Sequence, residues 1–285
     1  MRFATPLRYP GGKGKLYNFM NKVIELNKLH NVHYAEAYAG GAGLALKLLS
    51  NGNAQKIYLN DVNRAVYSFW FGVLYQTDEL CNLIKFTEVN MDEWHRQKEI
   101  MANMMSADTL SLAFSTFFLN RTNRSGILKG GVIGGKHQDG KWKLDARFNK
   151  DELISRIKLI ASLKDKIEIS NLDADDFLSN VVLNLPTKSL SYFDPPYYIK
   201  GKGLYENHYN HDDHVHIANR IQQEMETPWI VSYDNVEPIQ KMYNSSKGMS
   251  YGINYSAQDR YKGAEVMYFS KGLKIPRCTD PVKLK

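Results

Sequence analysis

The run Ser191-Tyr192-Phe193-Asp194-Pro195-Pro196-Tyr197-Tyr198 constrains this chain more than any other stretch. Leu190 to Phe193 reads as a buried strand. It must stop at the two prolines, because proline gives no N–H to a ladder and fixes its own φ. One carboxylate, two proline carbonyls and two aromatic rings are left at the strand's carboxyl end, where open α/β sheets hold their ligand crevice. A carboxylate and a proline carbonyl are both acceptors, and together they suit an exocyclic amino group with two hydrogens to give. Tyr197 beside them offers a face for a flat base. The plainer reading is a proline-capped strand in some other α/β protein.

A second strand, His33 to Tyr38, runs into Ala39-Gly40-Gly41-Ala42-Gly43 and then a helix through Leu44 to Leu49. Glycines permit a tight turn and close backbone approach, and the helix start offers unpaired N–H groups to a nucleotide-like ligand. The spacing is not G-x-G-x-x-G, so a pyrophosphate is not indicated. Lys56 to Asp61 follows as a strand with an acidic tip, placed about 20 residues on to accept from ribose hydroxyls. Farther along, Lys166 to Ser170 reads as a strand before Asp173-Ala174-Asp175-Asp176-Phe177. Those acids could cap a helix. Alternatively, Asp175 or Asp176 accepts from a ligand's adenine amino group while Phe177 packs on the ring.

Between about Ala65 and Ala161 the βα rhythm disappears. Val66 to Tyr75, Glu79 to Phe86, Met91 to Met104 and Leu110 to Leu119 read as helices whose apolar residues form a core of their own. The last leads into Asn120-Arg121-Thr122-Asn123-Arg124-Ser125-Gly126 and a glycine-rich tract. There Lys136-His137-Gln138-Asp139-Gly140-Lys141-Trp142 carries an Asp-Gly hairpin signal. The chain has 285 residues and a net charge of +7. The basic residues concentrate: Arg121 to Lys150 holds eight Lys/Arg against two acids. A basic hairpin suits phosphates along a DNA groove. The alternative is a solvated charged face.

The remaining features narrow the class. No apolar run is long enough to span a bilayer, and Met1 to Gly12 lacks the apolar core of a signal peptide. Cys81 and Cys278 form no C-x-x-C or metal spacing, which fits a reducing cytoplasm. His208, His211, His214 and His216 invite a zinc reading, but no cysteine lies near them and Asn210-His211-Asp212-Asp213 reads as a helix start, so no metal is expected. Ile199 to Tyr209 is a polar loop suited to closing over a substrate. Tyr251 to Tyr255 and Glu265 to Ser270 read as an antiparallel pair.

Six pieces in one order resemble the Dam-like, class D12 DNA adenine-N6 methyltransferases: Tyr9-Pro10-Gly11-Gly12-Lys13, Glu36 to Gly43, Asn60 to Asn63, Phe118 to Gly126, Asp175 to Phe177 and Asp194 to Tyr197. The family commonly has Glu-Pro-Phe where this chain has Glu36-Ala37-Tyr38. Its tract from Ile127 to Trp142 is more glycine-rich than in the best-known members, so no recognition sequence transfers.

The resemblance implies a Rossmann-like α/β sheet with a C-terminal antiparallel hairpin and S-adenosylmethionine as cofactor, released as S-adenosylhomocysteine. Residues 1–64 and 162–285 would form the catalytic domain, and 65–161 an inserted, mainly helical target-recognition domain carrying a β-hairpin. By position, Tyr9 and Lys13 would close over the cofactor, Glu36, Gly40, Gly41 and Gly43 would hold its methionine part, and Asp61 its ribose. Its adenine falls to Asp175 or Asp176 with Phe177. Asp194, Pro195, Pro196 and Tyr197 would be catalytic. Arg121, Asn123, Arg124, Lys136, His137 and Lys141 would touch double-stranded DNA. A cytoplasmic monomer or weak dimer is expected, with a cognate restriction endonuclease as an open question. The rivals are cytosine-N4 methylation, which Asp at 194 disfavours, protein-glutamine or RNA methylation, and a DNA-binding relative without activity.

Overall fold

The structure, a computed structural model, describes residues 5–8, 12–199, 209–254 and 262–284. In chain order its elements are α1 (Tyr17–Leu26), β1 (Val32–Glu36), α2 (Gly43–Ser50), β2 (Ala54–Asn60), α3 (Arg64–Tyr75), α4 (Thr77–Phe86), α5 (Met91–Ala102), α6 (Thr109–Thr122) and α7 (Lys150–Ala161). After these come β3 (Ile167–Ser170), α8 (Ala174–Asn180), β4 (Ser189–Phe193), α9 (His211–Glu224), β5 (Trp229–Asp234), α10 (Glu237–Met242), β6 (Lys247–Asn254) and β7 (Lys262–Phe269). They divide into two compact units, one built on Lys13–Val62 and the chain from Lys166 onward, the other on Asn63–Asp165 with residues 5–8 and 12.

The first unit is one seven-stranded sheet in the order β3-β2-β1-β4-β5-β7-β6. The first five strands are parallel, and β7 lies antiparallel between β5 and β6. β4 and β5 are buried along their whole length, as parallel strands covered on both faces must be. From β1 the chain builds outward to β2 and β3 on one side and later to β4 and β5 on the other. The crevice between the carboxyl ends of β1 and β4 is thus the topological switch point. α9 starts with a reciprocal capping box between Asn210 and Asp213, matching the start legible in its sequence. Phe177, Phe193, Trp229, Tyr233 and Tyr243 lie together in the core on one face of the sheet.

The second unit is helical. Asn63, Asn90, Asp108 and Asn149 cap α3, α5, α6 and α7 by accepting backbone N–H groups at 2.9–3.2 Å. Phe69, Phe117 and Phe118 are wholly buried, with the Phe69 and Phe117 rings stacked at 6.1 Å. Thr5 to Arg8 packs with these helices rather than with the sheet. The Arg8 N–H donates to Asn120 Oδ1 (2.7 Å) and the Asn120 amide donates back to the Arg8 carbonyl (2.8 Å), while Arg121 and Arg156 hold the Pro6 and Thr5 carbonyls.

The glycine-rich tract corrects an expectation: among the described residues it forms no β-hairpin, only turns and a single bridge between Asn123 and Val132. Gly134 and Gly135 sit at φ 88° and 81°, where no strand can run. The Gln138 amide pins the coil instead, donating to the Ile133 and Gly135 carbonyls and accepting from the Leu144 N–H. Tyr9, residues 200–208 of the polar loop and residues 255–261 of the C-terminal turn lie outside the described residues.

Candidate active site

Where β4 stops, Asp194 comes to rest in a network that also fixes Tyr197. Asp194 Oδ1 accepts from the Ser232 hydroxyl (2.6 Å) on β5 and from the Lys13 ammonium (3.1 Å). Ser232 Oγ also pairs with the Tyr192 hydroxyl at 2.7 Å. Lys13 reaches Glu265 Oε2 at 3.4 Å, so one ammonium bridges two carboxylates. Glu265 Oε1 accepts from the Tyr197 hydroxyl, and Oε2 accepts from the Tyr251 hydroxyl at 2.7 Å. The Lys13 ammonium also lies 5.8 Å from the Tyr197 ring centroid. The backbone beyond is held by Asp234, which accepts from the Tyr198 and Ile199 N–H groups at 2.9 and 3.2 Å.

Burial raises the pKa of Asp194 from its ordinary value; Lys13 works against that shift and Glu265 adds to it. A quarter of the Asp194 side chain still reaches solvent, so the group is approachable from the crevice. Ser232, Asp234, Tyr251 and Glu265 were not singled out from sequence. The signal for Glu265 was a lone acid opening the apolar run Val266-Met267-Tyr268-Phe269. Because β7 runs antiparallel, its start is delivered to the carboxyl end of the parallel strands, in register with Asp234 and Tyr251.

Across the switch point, Glu36 ends β1 opposite Tyr192 of β4. Only 5% of it is exposed. Its Oε1 accepts from the Tyr34 hydroxyl (3.1 Å) and from the Ala45 N–H at the start of α2 (3.2 Å). Among the described residues it makes no ion pair, and burial pushes its pKa up to about 8 against those two hydrogen bonds. A buried acid without a cation is costly, and a ligand bringing one would relieve it. The glycine turn beside it is tight, with Gly40 and Ala42 both at φ 47°. The Gly40 N–H donates to Asp61 Oδ2 at 2.9 Å, which ties the turn to the tip of β2. Gly43 is the first residue of α2, and Gly41 lies buried in the turn.

The third group departs from expectation. Asp173 caps α8 by accepting the Asp175 N–H (2.9 Å). Asp175 turns toward α9, pairing with Arg220 (2.6 Å) and His216 (2.8 Å), and these partners lower its pKa against the cost of burial. Asp176 is exposed. Phe177 is 1% exposed within the core, so it packs on protein rather than offering a face to a ligand. The other histidines are separately engaged, His211 with the Tyr198 hydroxyl and His214 with that of Tyr233.

On the helical unit the expected DNA residues split. Arg124, Lys136, His137 and Lys141 are exposed. Arg121 is not a surface cation: its guanidinium donates to the Arg147 and Pro6 carbonyls, and burial lowers its pKa to about 10. Asn123 is wholly buried, accepting from the Trp94 indole N–H (2.8 Å) and donating to the Ile127 and Leu128 carbonyls. Both correct the expectation of direct contact. Asn123→Ala would strand three polar groups and is expected to cost roughly 3 kcal/mol of stability. Thermal unfolding checks this, and the salt dependence of DNA binding should stay as in the parent.

A seven-stranded sheet with an antiparallel β7 and acids at the tips of β1, β2 and β4 is that of a Rossmann-like methyltransferase. The family model described as D12 class N6 adenine-specific DNA methyltransferase matches residues 9–257. The chain belongs to this family and methylates adenine N6 in DNA with an S-adenosylmethionine-type cofactor. A search of curated proteins finds no match. Similar solved structures include a protein from Pyrococcus horikoshii provisionally described as an RNA methyltransferase, at 12% identity, with 93% of this chain and 86% of that one covered and a TM-score of 0.43. They also include a conserved hypothetical protein from Streptococcus pyogenes (8%; 89% and 96%; 0.34). A third is a protein from Legionella pneumophila (11%; 92% and 85%; 0.35). These likenesses are too loose to inform the chemistry. No helix among the described residues is long and apolar enough to cross a membrane.

Proposed function

We propose that Asp194 and the Pro195 carbonyl receive the amino group of an adenine turned out of the duplex, and that Glu36 and the Gly40–Gly43 turn hold the cofactor's methionine part across the crevice. The observation that supports this most is the state of Asp194. Oδ1 is taken up by Ser232 and Lys13, which orients the carboxylate and leaves Oδ2 for an incoming N–H donor. The cofactor supplies the methyl group as an electrophilic sulfonium methyl.

Adenine N6 is a poor nucleophile because its lone pair is delocalised into the ring. Accepting both N6 hydrogens, Asp194 and Pro195 draw the nitrogen toward tetrahedral geometry, and Asp194 stabilises the positive charge that develops there. Much of the acceleration is alignment. Tyr197 stacks on the base. The cofactor fits Glu36, whose buried acid lacks a cation until an ammonium arrives. Asp61, already tied to Gly40, takes the ribose, and exposed Asp176 is the better placed of the two acids for the adenine. Arg124, Lys136, His137 and Lys141 meet DNA phosphates from the helical unit, which serves as the target-recognition domain.

Turning the base out costs a few kcal/mol and breaks its stacking. Sequencing modified bases in DNA from cells expressing the chain gives the target site. A duplex carrying 2-aminopurine at that adenine is then expected to change fluorescence severalfold on binding. An unchanged signal would remove the flipping step, and modification at cytosine N4 would restore the rival substrate.

A further inference from the structure

We infer that Glu265 is a positioning residue for methyl transfer, anchoring Tyr197 against the base and Lys13 against Asp194. This rests on the roles proposed above for Asp194 and Tyr197. Glu265 has no exposed surface. Its donors include the Tyr197 hydroxyl on one oxygen and the Tyr251 hydroxyl and Lys13 ammonium on the other. Two of those donors belong to residues at the reaction centre. A buried carboxylate so arranged is a fixed post, because moving any of the three would leave charge or polarity unpaired in the protein interior.

The post acts on the catalytic acid through Lys13. Asp194 and Glu265 divide one ammonium, at 3.1 and 3.4 Å. Among the described residues, Glu36 and the tyrosines Tyr34, Tyr192, Tyr233 and Tyr251 also interact electrostatically with Asp194. None of these is a cation, and it is Lys13, with the Ser232 hydroxyl, that favours the ionised acid. Removing the charge of Glu265 therefore takes a like charge from Asp194 and removes a competitor for Lys13. Both changes make Asp194 easier to ionise. A variant can thus slow the chemistry through a loosened Tyr197 while extending activity to lower pH, which a simple loss of packing would not do.

The test is a double-mutant cycle on single-turnover methylation of duplex DNA, with pH profiles. Glu265→Gln is expected to lower kcat about 10- to 100-fold, with KM for DNA and cofactor within about twofold, and to move the acid limb to lower pH. Tyr197→Phe should lose a similar share of kcat while leaving the limb in place, and the double variant should lose little more than either single one. Lys13→Met should move the limb upward. An unmoved limb in Glu265→Gln, additive losses, or a rise in cofactor KM at constant kcat would each overturn the assignment. If Glu265→Gln does not fold, Glu265→Asp, which keeps the charge but draws the carboxylate back from the Tyr197 hydroxyl, must lower kcat while leaving the limb nearly in place, and an unchanged kcat refutes the inference. A parent limb that survives Asp194→Asn would mean that the reading of Asp194 has failed, a different result from any of these.

Discussion

Asp194→Ala is expected to lower the rate of methyl transfer by at least about a thousandfold while changing DNA affinity by less than about threefold. The carboxylate sits where β4 ends, fixed by Ser232 and Lys13, and in the role proposed for it the bond to N6 strengthens in the transition state, as that nitrogen acquires positive charge. Losing it would then remove mainly transition-state stabilisation, because DNA affinity comes largely from phosphate contacts made elsewhere. Asp194→Asn keeps an acceptor but not the charge, so it should retain more activity than alanine, about a hundredfold below the parent. Activity in the parent should fall as pH drops, because the acid must be ionised to accept from N6. Because burial raises the pKa of Asp194, that fall should come at higher pH than for an ordinary exposed aspartate. Methyl incorporation and a gel-shift titration on the same preparations separate the two effects. Near-normal turnover in the alanine variant would end the catalytic role.

The second large effect concerns Glu36. The cofactor-free fold prefers this acid neutral, with a pKa of about 8. A carboxyl whose folded pKa lies above its unfolded value contributes stability that is fully present below the unfolded value and lost as pH rises through the folded one. Glu36→Gln removes that loss. The cofactor-free variant should therefore be more stable than the parent at pH 9, by on the order of a few kcal/mol. The same variant should bind S-adenosylmethionine about a hundredfold more weakly, having lost a charge-assisted bond to the ammonium. Titration calorimetry in buffers of different ionisation enthalpy adds a third reading: near pH 7 the parent should release up to about one proton per cofactor bound, the variant none. Unchanged affinity would move the methionine part of the cofactor elsewhere.

Much of the fold was legible because its signals are local. Pro195-Pro196 ends a strand by chemistry alone, Asn210-His211-Asp212-Asp213 starts a helix by hydrogen bonds spanning three residues, and the Gly40–Gly43 turn announces a tight bend. The hairpin in the glycine tract was misread for a physical reason. Asp139-Gly140 has the chemistry of a turn, but a hairpin also needs flanking segments that can pair, and Gly134 and Gly135 adopt left-handed backbone instead. Phe177 and Asn123 share another cause. A phenylalanine beside two acids or an asparagine between two arginines looks available in a sequence, and only packing shows that both are wholly enclosed.

The sequence by itself determined the class of chemistry, because an acid before two prolines, a glycine turn and an acid-tipped strand each carry their function in local residue order. Only the tertiary structure decided how that acid is held. Lys13 and Glu265 stand 252 positions apart, and Asp194 lies far from both along the chain. They meet because β7 turns back antiparallel and sets its first residues at the carboxyl edge of the parallel strands. The pairing of charges across a sheet follows from strand order and direction, which no short window of residues encodes.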